Sequence, residues 1–356
     1  MARYRGLALS ISVIVAIFLF VQLGALALVD PFKTAGLQPV EDPQNPVNSL
    51  LYIGAILVMT GIMLAAFRYD IQWAIRGLIV ATGAYIALIV FSILLPPVVT
   101  LPVAGGLHGL AWLGAIGLGV ALYVHPEWYV IDATGAIMGA GAAGLFGISF
   151  GVLPALVLLA VLAVYDAISV YGTEHMLTIA SGVMELKVPV VLVAPISIDY
   201  SFREDAAAVA DGTGSDAEDD STNGADGIAT DGDDGSADAD SNDTDDTDDD
   251  PLAEREALFI GLGDAIIPTV LVASAAFFAD ASVPTVDVGG LAVAVPAATA
   301  MVGTFLGLAV LLRMVLAGRA HAGLPLLNGG AIAGYLVGAL ATGMTLVETL
   351  GLTPYL

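Results

Sequence analysis

The chain of 356 residues contains no cysteine. Disulfides, thiolate nucleophiles and cysteine–zinc sites are therefore excluded. Charge is also scarce, at 13% of residues, with only ten lysines and arginines. A formal net charge of −25 argues against a nucleic-acid-binding surface. The four histidines (His108, His125, His175 and His321) are scattered, and no His-Glu-x-x-His is present. A zinc metalloprotease thus lacks its ligands. There is no internal repeat of the kind that marks many transporters.

What is abundant is apolar length. The mean hydropathy of +0.89 belongs to a multi-spanning membrane protein. Nine segments are long enough to span, near 6–29, 49–67, 73–95, 103–123, 129–150, 152–172, 257–279, 291–312 and 324–347. The fold class expected is an all-α membrane protein with nine transmembrane helices. Arg3 and Arg5 precede the first apolar run in the manner of a signal peptide, but its length favours a retained span, since a signal core is only about 7–15 residues. Nine spans with a cytoplasmic amino terminus put Arg3, Arg5, Arg68, Arg76, Lys187, Arg203, Arg255, Arg313 and Arg319 inside and only Lys33 outside. That bias predicts a cytoplasmic amino terminus and an outside carboxyl terminus.

The acidic charge is concentrated. Nineteen of the 35 acidic residues fall between Glu204 and Asp250. A segment so poor in large apolar residues is expected to be disordered. It suits a cytosol of high salt and hence a halophilic source, or it is a generic acidic linker. Four regions follow: a six-helix bundle over 1–172, a membrane-associated segment over 173–200, a cytoplasmic acidic loop over 201–256, and a three-helix bundle over 257–356. Within 173–187, Met176, Leu177, Ile179, Ala180, Val183, Met184 and Leu186 recur at roughly helical spacing, which predicts an amphipathic surface helix. Val188–Ile198 reads as a short strand or an irregular re-entrant piece.

Two acidic residues, Asp166 and Asp264, sit inside otherwise apolar segments. An intramembrane ionisable side chain costs roughly 2.5–3.5 kcal/mol on insertion scales and marks a candidate functional site. Asp166 lies eight residues before Glu174, and Asp264 eight residues after Glu256. At helical rise each is roughly 12 Å from that boundary. Both boundaries open onto the same loop, so the carboxyls are expected at matching depth below one membrane face. Two carboxyls close together in a low-dielectric site share a proton. One then activates water while the other donates to a carbonyl oxygen, which is aspartic-protease chemistry and requires no metal or organic cofactor. Water must reach that depth, so the surrounding spans must line a wet cavity. The competing reading is a proton- or sodium-coupled transporter or channel using the same two residues. Gly147-Ile148-Ser149-Phe150-Gly151 fits a nucleophile elbow, but it lies at a predicted turn with only His108 as a base, and a small-residue turn explains it better. Gly135-x-x-x-Gly139 and Gly147-x-x-x-Gly151 read as helix packing.

Tyr165-Asp166, with the stretch that follows to Val193, resembles the sixth span of the presenilin/signal peptide peptidase family in its archaeal form. Gly261-Leu262-Gly263-Asp264 resembles that family's Gly-x-Gly-Asp motif in the seventh. The resemblance extends to the span number and to the hydrophilic loop between the motifs. It implies an intramembrane aspartyl protease with Asp166 and Asp264 as catalytic pair. Tyr165, Gly261, Leu262 and Gly263 would shape the site. The implied partners are transmembrane proteins or signal peptides as substrates, within membrane lipid. The family's Pro-Ala-Leu motif corresponds to Pro325-Leu326-Leu327, which would position the substrate. Here Leu326 replaces Ala, and Asn328 stands where many members have a second Pro. Pro325 either opens an unwound segment that pairs with an extended substrate or sits in the first turn of a helix.

Overall fold

The computed structural model describes residues 2–38, 40–69, 71–96, 100–101, 107–172, 191–196, 200–202, 257–316 and 322–355. The helix expected within 173–187 and the acidic run lie outside those residues. Helices α1 (Ala2–Thr34), α2 (Val47–Arg68) and α3 (Gln72–Leu94) come first. A two-stranded ribbon follows, β1 (Thr100–Leu101) with β2 (Leu107–His108), and then α4 (Gly109–Val124), α5 (Trp128–Ser149) and α6 (Val152–Gly172). Strand β3 (Val191–Pro195) pairs antiparallel with β4 (Ala257–Gly261), which runs directly into α7 (Leu262–Phe277). The hairpin β5 (Thr285–Val288) and β6 (Leu291–Ala294) leads into α8 (Val295–Leu316), and α9 is Gly323–Ala341. Among the described residues, seven helices are long and apolar enough to cross a membrane, and α4 and α7 are shorter apolar helices.

Three span boundaries differ from the hydropathy reading. The seventh segment begins as β4, so its helix starts at Leu262. The eighth begins as β6, so its helix starts at Val295. The fourth starts at Gly109, after β2. An apolar run such as Ala257–Gly261 satisfies a strand as well as a helix, and hydropathy does not separate the two. The expected strand within 188–198 is β3.

Helix α5 is the hub. It packs against α1, α3, α7 and β3, and it is the most buried of the seven long helices, whereas α2 lies almost wholly on the outside. Lipid offers no hydrophobic drive for helix association, so close approach depends on small residues. A Cβ on Gly147 would collide with Ala273 of α7, and one on Gly139 would press Val21 and Leu262. The two glycine pairs are therefore packing surfaces, as expected. Ser149 is buried and donates to its own helix at Leu145 O (2.5 Å), which removes the nucleophile-elbow reading. Helices α8 and α9 approach so closely that the Gly303 and Gly330 backbones touch. One core combines α6, α7, α8 and α9, with Leu159, Leu271, Ala300 and Tyr335 fully buried.

Candidate active site

Asp166 stands on α6 and Asp264 in the first turn of α7. Gly261 is the last residue of β4 and caps α7, so the strand-to-helix change occurs three residues before Asp264. A carboxylate in a first turn faces the positive end of its helix dipole. Four residues on, Pro268 lies inside α7 and is buried. Proline has no N–H, so the Asp264 main-chain carbonyl loses its ordinary helical donor.

Both carboxyls converge on the start of α9. Asp166 Oδ2 accepts a hydrogen bond from Leu324 N (3.1 Å). Asp264 lies against the neighbouring residue: a Cβ on Gly323 would sit 2.9 Å from its Oδ2 and 3.3 Å from its Cγ. The two groups interact electrostatically, and both are partly buried. Helix α9 contacts α6 and α7 together, so its first turn sits at the junction of the two aspartate-bearing helices. A buried hydrogen bond from Asn328 Nδ2 to Leu159 O (3.0 Å) ties α9 to α6 about two turns below Asp166.

The other expected site residues divide. Gly261 lies beside Asp264, its would-be Cβ 3.6 Å from Oδ2. Gly263 faces open space. Leu262 is buried and packs on Gly135 and Gly139 of α5. Tyr165 is 38% exposed, about 100° round the helix from Asp166. Pro325, Leu326 and Leu327 are helical, because α9 begins at Gly323. The unwound alternative for this segment is therefore corrected. Pro325 sits in the first turn, where no backbone N–H is needed for the helix ladder. Leu327 is fully buried, and the Leu326 main chain packs on Gly307.

Sequence reasoning gave no role to Gly323 and Leu324, which act through an absent side chain and a backbone N–H, and it marked Asn328 only as a departure from the motif. It also passed over a third intramembrane carboxyl, Asp132 of α5, which is 5% exposed and accepts from Val193 N of β3 (2.8 Å). The rule that singled out Asp166 and Asp264 applies to it equally. No cluster of His, Asp and Glu among the described residues has the arrangement of a metal site.

The family model described as signal-peptide peptidase, presenilin aspartyl protease matches residues 15–344. Two solved structures of a presenilin family intramembrane aspartate protease are similar to this chain. The C222 crystal form is 32% identical, covers 92% of this chain and 97% of that one, and has a TM-score of 0.57. The P2 form is 32% identical, with coverage of 92% and 96% and a TM-score of 0.55. No curated protein gives a significant match.

Proposed function

The chain belongs to the signal-peptide peptidase, presenilin aspartyl protease family and is an intramembrane aspartic endopeptidase of multi-pass architecture; from that premise we propose that Asp166 and Asp264 are its catalytic pair. The observation that carries this reading is the convergence of both carboxyls on Gly323 and Leu324. One ionised carboxyl polarises a water molecule toward the scissile carbonyl carbon. The other, protonated, donates to the carbonyl oxygen, and the leaving nitrogen is protonated as the tetrahedral intermediate collapses. The two roles belong to the pair, because coupled groups titrate together.

A peptide bond inside a helix is shielded, so the substrate must be extended at the site. β4 supplies a template. It ends three residues before Asp264, and Phe259 and Gly261 are exposed along it. A substrate segment added to this border gains main-chain hydrogen bonds in place of its own helical ones. Non-helical backbone is tolerated at membrane depth only where protein buries it or water reaches it. An apolar cleft of about 400 Å³ lies between α2, α3 and the α5–α7 core. Met59 and Met63 line one side and Phe150 and Ile267 the other, and Ile267 shares the Asp264 face of α7. Substrates of this class are transmembrane segments.

Nine spans, with α4 and α7 as the two short ones, a cytoplasmic amino terminus and an outside carboxyl terminus fit this mechanism. A 16-residue helix covers about 24 Å, short of the roughly 30 Å hydrocarbon core, and β4 extends α7 toward the cytoplasmic face. Asp166→Ala and Asp264→Ala are each expected to lower cleavage of a generic transmembrane substrate by at least ~10²–10⁴-fold, with helix content and membrane insertion unchanged. Parental turnover in either variant rules the assignment out.

A further inference from the structure

Hydrolysis by the Asp166–Asp264 pair makes no use of Asp132. Its Oδ1 takes the Val193 N–H of β3, and its Oδ2 has no partner among the described residues. Along a strand, the N–H and C=O of one residue point to the same side and those of the next point to the other. Val193 N–H therefore points away from β4. Because Val193 pairs with Phe259, the Phe259 N–H and C=O point away from β3, to the opposite border of the ribbon. Along the β3 border, Ser10 Oγ of α1 donates to Pro195 O (2.7 Å), and Pro195 has no N–H to offer. Among the described residues, helices α5 and α1 thus close the β3 border, and no strand pairs along the β4 border.

The same face of α5 also seats the catalytic turn. Asp132, Gly135 and Gly139 recur at i, i+3 and i+7, one stripe of a helix. Gly135 packs against both Leu192 of β3 and Leu262, and Gly139 against Leu262 again. Leu262 stands two residues before Asp264. One stripe of α5 therefore holds the ribbon by a hydrogen bond and the start of α7 by contact.

We propose that Asp132, assisted by Ser10, is a positioning residue that pins the β3–β4 ribbon to α5 and so sets which peptide bond of the substrate meets the catalytic pair. The proposal rests on the reading of β4 as the border that receives the substrate. Val193 is buried, so without the carboxyl its N–H is left desolvated and unpaired, and the ribbon loses its fixed seat. A substrate strand that slips by one residue on a loosened border turns its faces over, whereas a slip of two residues, about 6.6–6.8 Å, preserves them. Misplaced cuts should therefore concentrate two residues from the parental bond.

The test uses the full-length protein in bilayers with a transmembrane substrate, mass mapping of the products and binding of a transition-state-analogue inhibitor of aspartic proteases. Asp132→Ala is expected to raise KM roughly tenfold and to spread cleavage to bonds two residues away, with inhibitor affinity within about threefold of the parent. Asp132→Asn keeps an acceptor oxygen and is expected to restore the parental product pattern. Parental KM and products in Asp132→Ala, or an Asp132→Asn variant as impaired as Asp132→Ala, overturn the proposal. If Asp132→Ala does not fold, Ser10→Ala is read in its place: spread products support the proposal and parental products overturn it. Phe259→Pro reports on the β4 reading alone, because it removes the outward N–H at a position where an edge strand tolerates proline. Unchanged cleavage by that variant sinks the β4 reading, whatever the Asp132 variants do.

Discussion

At the scale of single residues, the site depends on a missing side chain as much as on the two that are present. Gly323 has no Cβ, and the space a Cβ would take is occupied by the Asp264 carboxyl, 2.9 Å away at Oδ2. Gly323→Ala must displace that group or shift the first turn of α9. A misplacement of about 1 Å costs up to ~10²-fold in rate, so kcat is expected to fall ~10–10²-fold. Steady-state kinetics and a thermal melt separate this from unfolding, because the first turn of a helix accepts alanine readily. Leu324 acts through its backbone, so its side chain gives no hint of the role. Asp132 is legible by the same reasoning as Asp166 and Asp264, since an ionisable group in an apolar segment is rare whatever its purpose.

At the scale of elements, the asparagine that departs from the family's pattern acquires a physical meaning. Pro325 opens α9 without cost, and Asn328, one turn further, bonds across to Leu159 of α6. Asn328→Leu keeps the approximate volume and removes the bond. Interhelical hydrogen bonds of this kind average about 0.6 kcal/mol in membranes, up to about 1.7 kcal/mol. The variant is therefore expected to lose ~0.5–1.5 kcal/mol in reversible unfolding, with reduced turnover because α9 carries the residues that both carboxyls touch. The β4–α7 junction shows why hydropathy misplaced the seventh helix. The five apolar residues of β4 find hydrogen-bond partners in β3 across the loop, and that pairing makes a strand out of a run equally suited to a helix.

At the scale of the whole molecule, the absence of cysteine becomes an experimental convenience. A single introduced thiol reports sidedness without background. Ser221→Cys is expected to react with an impermeant reagent from the cytoplasmic side and Ser282→Cys from the outside. The opposite result inverts the orientation and the end from which substrates enter. Deleting residues 206–250 is expected to leave cleavage measurable in the same bilayer assay, because β3 and β4 pair with each other on either side of the acidic run and the proposed catalytic residues Asp166 and Asp264 lie beyond it. Complete loss of cleavage with intact insertion would give the acidic run a part in the reaction.

Composition and local pattern alone determined that this is a helical membrane protein, where most of its helices run, and that Asp166 and Asp264 are out of place in apolar segments, as Asp132 is too. Those are averages over a window or the cost of a charge in lipid, and both are local quantities. The tertiary structure decided what the two carboxyls meet. Leu324 donates to a carboxyl 158 positions away in the chain, and that contact depends on how α9 is rotated and seated between α6 and α7. Hydropathy carries no information about such rotation, because lipid-facing and protein-facing sides of a span are nearly equally apolar. The seating of β3 on Asp132 and of Leu262 on Gly135 and Gly139 belongs to the same class: small residues and single polar bonds, visible only once the helices are packed.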